Sequence, residues 1–245
     1  MRKICVVVGS RANYSSIKSA MRAIQQHAFL ELQLVVNASA LLDRYGKVVE
    51  LMRRDGFSAS AEIHTLIEGE TPATMAKSTG LGLMEMATVL EQLKPDFVLT
   101  VGDRFETMAT ALAAAYMNIP IAHSMGGEVS GTIDESIRHA VSKFAHVHFP
   151  ASEGAKRRLI RLGELPENVH CVGCPRIDMI AEILQAESSG ADSDIQGYIL
   201  GEGVGSRIDL QEDFLLVSQH PVTTEYGHGE KQITETLKAV SDLDM

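Results

Sequence analysis

Cysteine is scarce in this sequence, with three residues in a chain of 245. Without a secretion signal, three cysteines do not make a disulfide framework, and the expected compartment is the reducing cytoplasm. The opening run Met1-Arg2-Lys3-Ile4-Cys5-Val6-Val7-Val8-Gly9 is apolar for only a few residues and has no small-residue cleavage site after it. It reads as a buried strand rather than a leader peptide. Long apolar stretches are missing too, and no window approaches a membrane span. Positive charge is in deficit: 22 Lys and Arg stand against 32 Asp and Glu, a formal charge of −10. That field repels a nucleic-acid backbone, so duplex binding is excluded as a main function. Low-complexity tracts and internal repeats are also missing. With 45% hydrophobic residues, what is left is a globular chain able to bury one large core or two modest ones.

Short apolar, β-branched runs alternate with stretches of helical period, which is the pattern of βα units in a parallel sheet covered on both faces. Strands are expected at residues 3–8, 31–36, 61–66, 96–101, 120–123, 146–149 and 169–172. Helices are expected at 14–26, 41–54, 72–93, 104–117, 134–144, 153–162 and 175–185. Thr71-Pro72, Ser152-Glu153 and Cys174-Pro175 supply start signals for three of them. The expected fold class is therefore α/β, a doubly wound, Rossmann-like parallel sheet in residues 1–185. Residues 186–210, rich in Ser, Gly, Asp and Glu, read as a linker. One further strand, 214–218, and one helix, 230–243, follow within 211–245. A lone βα unit cannot bury both faces of its strand, so this segment reads as the opening of an incomplete, truncated second domain.

Ligands of open α/β sheets bind beyond the carboxyl ends of the strands, where helix N-termini converge. Four strand ends carry unusual polar residues. After the first come Gly9-Ser10-Arg11-Ala12-Asn13, with Arg11 either a phosphate ligand or a solvated turn arginine; the spaced glycines of a dinucleotide fingerprint are lacking. After the fourth come Gly102-Asp103-Arg104-Phe105-Glu106. Asp103 is either a helix cap or a site carboxylate, while an arginine in a first helical turn opposes the helix dipole, and a bound anion would explain it. After the fifth lies the run from His123 to His139, where Gly126-Gly127 allow close backbone approach to a ligand and Glu128 and Asp134 place two carboxylates around one loop. Two acids in one crevice can have their pKa values pushed apart, giving a proton acceptor and a donor near neutral pH. Thr132 or Asp134 starts the next helix. After the final strand come Gln219-His220-Pro221, with His220 placed to stabilise charge on a departing phosphate. Cys171-Val172-Gly173-Cys174 has thiol-exchange spacing, yet no second pair completes it, so buried thiols are expected. Neither these cysteines nor His146 and His148 suggest a metal, and no cofactor is implied.

Those residues together resemble the hydrolysing UDP-N-acetylglucosamine 2-epimerases, the family that opens bacterial sialic-acid biosynthesis and forms the epimerase half of an animal bifunctional enzyme. The carriers are Gly102-Asp103-Arg104-Phe105, the run Gly126-Gly127-Glu128-Val129-Ser130-Gly131-Thr132-Ile133-Asp134 through Ser136-Ile137-Arg138-His139, Gly173-Cys174-Pro175, and Gln219-His220-Pro221-Val222-Thr223-Thr224. The resemblance spans essentially the whole chain. It implies two facing nucleotide-binding domains, as in the B-type glycosyltransferases, a UDP-sugar in the cleft, a homodimer, and elimination of UDP to a glycal followed by hydration to N-acetylmannosamine. It puts the catalytic acids at Asp103, Glu128 and Asp134 and the leaving-group histidine at His220. The substrate contacts it implies are Arg11 and Arg104, with Ser10 and Gly127 beside them; which acid is the base stays open. A UDP-diacetamido-trideoxy sugar as substrate, the non-hydrolysing reaction, and a non-catalytic sugar-nucleotide-binding remnant are the competing readings. With its second domain ending after one helix, the chain alone is expected to have little or no turnover.

Overall fold

In a computed structural model of the chain, residues 1–188, 197, 201, 205, 209–220 and 225–243 are described. Six strands, β1 (Arg2–Val8), β2 (Leu30–Asn37), β3 (Ala59–Ile63), β4 (Phe97–Val101), β5 (Ile121–Ser124) and β6 (Val147–Phe149), form one sheet in the order β3-β2-β1-β4-β5-β6. Every pairing is parallel. The doubly wound α/β class expected from the alternation is what forms. Along β1 the side chains alternate between two cores. Val6 and Val8 join Leu34, Val36, Tyr14, Met21 and Met52 on one face, and Cys5 and Val7 join Val35, Val98, Met86 and Ile121 on the other. A strand buried on both faces needs an unbroken apolar run, hence Cys5-Val6-Val7-Val8.

Among the described residues the helices are α1 (Arg11–Ser15), α2 (Lys18–Gln26), α3 (Val48–Arg54), α4 (Pro72–Leu93), α5 (Phe105–Tyr116), α6 (Ile133–Phe144), α7 (Glu153–Arg161), α8 (Pro175–Ser188) and α9 (Gly229–Ser241). Thr71 and Thr74 make a reciprocal capping box ahead of Pro72, fixing the start of the longest helix. Where α4 and α5 pass closely, a Cβ added at Gly82 would lie 3.2 Å from Cβ of Ala109, so small residues set the spacing.

Several expected elements take a different form. The expected helix 14–26 is two helices, because the Ser16 hydroxyl donates to the Ala12 carbonyl and the chain turns at Ile17. Expected helix 41–54 becomes two 3-10 turns and α3, broken where Gly46 and Lys47 are both left-handed. Expected strand 169–172 contributes a single bridge, Val169 to His148, since β6 offers an edge of only three residues. Cys171 and Cys174 beyond it are free and partly exposed rather than buried, while Cys5 is the buried thiol.

The chain comprises two compact units, Met1–Met179 and Ile180–Met245. In the second, the expected strand 214–218 is not a strand: Phe214, Leu215, Leu216 and Val217 are all exposed, and a strand exists only with a neighbour to complete its hydrogen bonds. The expected helix 230–243 is present as α9. Most of the expected linker 186–210, with Pro221, Val222, Thr223 and Thr224, lies outside the described residues.

Candidate active site

Strand order reverses between β1 and β4, and there the loops that leave their carboxyl ends diverge to opposite faces. Ser10 caps α1 by accepting from the Asn13 amide, and Asn13 in turn donates from Nδ2 to the Val101 carbonyl at 3.2 Å. These bonds tie the β1 turn to the end of β4. Over the junction opens a cavity of about 210 Å³, lined among others by Asn13, Asp103, Arg104, Glu128, Arg138 and Arg176.

Arg138 organises that cavity. It is buried on α6, pairs its Nη2 with Asp103, and donates at 2.8 Å to the Glu128 carbonyl and at 3.2 Å to the Ser130 hydroxyl. One guanidinium fork thus joins the loop after β4 to the loop after β5. Asp103 is therefore no helix cap; Arg104 holds the cap position of α5, without a side-chain bond. Glu135 closes the second loop from the other side, its Oε2 accepting from the amides of Ser130 and Gly131. Thr132, rather than Asp134, caps α6.

Arg104 has a partner that the sequence reading did not single out. Its Nε donates at 2.7 Å to Glu106, a carboxylate buried on the first turn of α5. No bound anion is needed to explain the arginine. Burial pushes the Glu106 carboxyl above its ordinary range, with Arg104 opposing, and Oε2 of Glu106 has no partner among the described residues. Asp134 is also raised, by burial first, again with Arg104 opposing; Arg104 therefore acts on both acids. The Glu128 carboxylate accepts from the Ser152 hydroxyl at 3.3 Å, and the same hydroxyl caps α7.

Parallel α/β topology, a cavity at the switch point and acids gathered around arginines coincide with a match to the family model for UDP-N-acetylglucosamine 2-epimerase over residues 22–245. The chain belongs to the UDP-N-acetylglucosamine 2-epimerase family. Among curated relatives, a UDP-N,N'-diacetylbacillosamine 2-epimerase (hydrolyzing) of Legionella pneumophila is 36% identical over 98% of this chain and 60% of its own length. A UDP-N-acetylglucosamine 2-epimerase of Neisseria meningitidis is 32% identical over 74% of this chain and 47% of its own length. The solved UDP-GlcNAc 2-epimerase of Methanocaldococcus jannaschii, in complex with UDP-GlcNAc and UDP, aligns with a TM-score of 0.70 and 20% identity over 81% of this chain and 53% of that one. The chain thus spans about half to three fifths of the length of these epimerases.

Within this epimerase unit the remaining expected residues sit as follows. Arg11 is exposed on α1 and is not part of the cavity lining; its Nη2 would lie 2.7 Å from a Cβ added at Gly46. Gly127 is left-handed, at φ +79°, and a Cβ there would come 2.4 Å from the Ala155 carbonyl. The close approach this glycine permits here is to the backbone of α7. His220 lies in the second unit and is exposed. His123 is fully buried; Nε2 donates to the Gly102 carbonyl at 2.8 Å, so Nδ1 accepts from the Ser142 hydroxyl at 3.0 Å. Burial drives its pKa down to about 4. His148 meets Glu164 at 3.1 Å across sixteen residues, a spacing that sequence pattern does not reveal. No helix among the described residues is long and apolar enough to cross a membrane.

Proposed function

We propose that this chain carries the reacting half of a hydrolysing 2-epimerase acting on a UDP-linked 2-acetamido sugar. The observation that carries the reading is the convergence of Asp103, Glu128, Arg104 and Arg138 in one cavity at the switch point. Glu128 is the proton acceptor: it faces the cavity and its carboxylate holds only the Ser152 hydroxyl among the described residues. It removes the proton from carbon 2 while the bond from carbon 1 to the diphosphate oxygen breaks, leaving the 1,2-glycal and UDP. Asp103, fixed by Arg138, stabilises positive charge developing at carbon 1. Asp134, whose burial favours the protonated form, returns a proton to carbon 2 from the opposite face as water adds its oxygen to carbon 1, and the proton the water loses goes back to the Asp134 carboxylate. His220 is the group that receives charge on the leaving oxygen.

UDP-N-acetylglucosamine, with N-acetylmannosamine as product, is the first substrate of this reading. A UDP-diacetamido-trideoxy sugar is the second, favoured by the name of the 36% identical Legionella relative. The division into residues 1–185, 186–210 and 211–245, the homodimer and the cytoplasmic setting go with the same reading. Incubating the chain with each sugar nucleotide in deuterium oxide tests it. Free sugar carrying deuterium at carbon 2, together with released UDP, is expected at however slow a rate, and D103N or E128Q should lower it by about 10²–10⁴-fold. Release of an intact, inverted UDP-sugar would replace hydrolysis by the non-hydrolysing reaction.

A further inference from the structure

Three guanidinium groups line the cavity, and their charges are unequally available. Arg138 is paired with Asp103, and Arg104 with Glu106. Arg176, in the first turn of α8, bonds instead to two neutral acceptors. Its Nε donates to the Ser16 hydroxyl at 2.6 Å and its Nη2 to the Ala12 carbonyl at 3.3 Å. Among the described residues no carboxylate pairs with it. A guanidinium carries five N–H donors. Two are engaged here, so both on Nη1 and one on Nη2 remain for a ligand.

The anchoring has a further effect. The Ser16 hydroxyl that accepts from Arg176 itself donates to the Ala12 carbonyl at 2.7 Å, the bond that separates α1 from α2. The break in the expected helix thereby builds a seat for the guanidinium. A side chain already held in one geometry loses little freedom when an anion arrives. Arg11 is not in this lining and Arg104 is matched by a buried carboxylate, so Arg176 adds a charge to the cavity that neither of them supplies there.

We infer that Arg176 is a further residue that holds the anionic part of the substrate, the diphosphate of the nucleotide sugar. This inference rests on the proposed function. It gives the cavity a polarity, with an uncompensated cation contributed by α8 and the Glu128 carboxylate as proton acceptor. The free N–H groups of Arg176 hold the body of the diphosphate, whereas the pairs at Arg104 and Arg138 hold the acids in place.

Titration calorimetry of the 245-residue chain with inorganic pyrophosphate, at several salt concentrations, provides the test. The unaltered chain should bind, more weakly as salt rises. R176M, which keeps the stem and loses the charge, should weaken binding by about 10–100-fold, and R176K by roughly 5-fold or less. Absence of binding by the unaltered chain, full binding by R176M, or equal losses in R176M and R176K would each overturn the inference, the last by showing that only the fork to Ser16 and Ala12 matters. Should R176M fail to fold, S16A decides: about threefold weaker pyrophosphate binding supports the seat, and none removes it. Failure of the sugar-nucleotide reading looks different, with Arg176-dependent pyrophosphate binding persisting while neither UDP nor a UDP-sugar binds.

Discussion

Three residues set the local tolerances of the site. Arg138 is buried with its charge matched by Asp103, so R138M strands a carboxylate and releases the Glu128 carbonyl. A loss of about 3 kcal/mol of stability is expected, read as a lower urea midpoint, with turnover falling further than binding. At Gly127 an alanine meets the Ala155 carbonyl and must adopt a left-handed backbone, so G127A should cost roughly 2–4 kcal/mol. His123 brings a pH dependence. Its folded pKa of about 4 lies below the ordinary 6.5, so between these values the unfolded chain holds a proton that the folded chain refuses. Stability therefore falls as pH drops through that window, by at most ~1.4 kcal/mol per pH unit from this group, and H123N should flatten the dependence in urea titrations at pH 7, 6 and 5. Asp103, Glu128 and Asp134 were conspicuous in the sequence as acids in the polar runs that follow β4 and β5. Glu106 and Arg138 were not, since each faces inward from a helix and reads there as an ordinary charged position. Arg176 was hidden for a different reason: its seat is built from residues some 160 positions away in sequence.

At the level of elements, starts were easier to read than continuity. Thr71-Pro72 and Ser152-Glu153 announced α4 and α7 because a cap is a local chemical event. The breaks at Ile17 and at Gly46-Lys47 were invisible to apolar period, which runs straight through them while the backbone turns for hydrogen bonds formed elsewhere. The expected strand 169–172 stops at one bridge because its apolar residues satisfy composition, whereas a strand also needs a partner edge long enough to pair with. Ser152 joins element and chemistry. S152A removes the cap of α7 and the hydroxyl on Glu128 together, so stability should drop by about 1 kcal/mol in thermal melts while the pH–rate profile shifts.

Across the whole molecule, burial is unevenly shared between the two units. β1, β2 and β4 contribute Val6, Leu34, Val36 and Val98, each with no exposed surface, whereas α9 has no buried residue. Hydrogen exchange should therefore be slowest in those strands, near the global unfolding limit, and fast in α9, where no residue is buried. Equal protection of α9 and β1 would contradict that gradient. The alternating sequence announced the parallel sheet itself, since a strand covered on both faces admits few other compositions.

The clasp formed by Arg138 also bears on how this site can be retooled. Because one inward-facing side chain fixes both of the loops proposed to carry the chemistry, the acids do not depend on Ala12 or Met125, which line the same cavity without joining the clasp. Swapping those two residues for smaller or larger ones should change which sugar substituents fit, while leaving the proton-transfer apparatus where it stands.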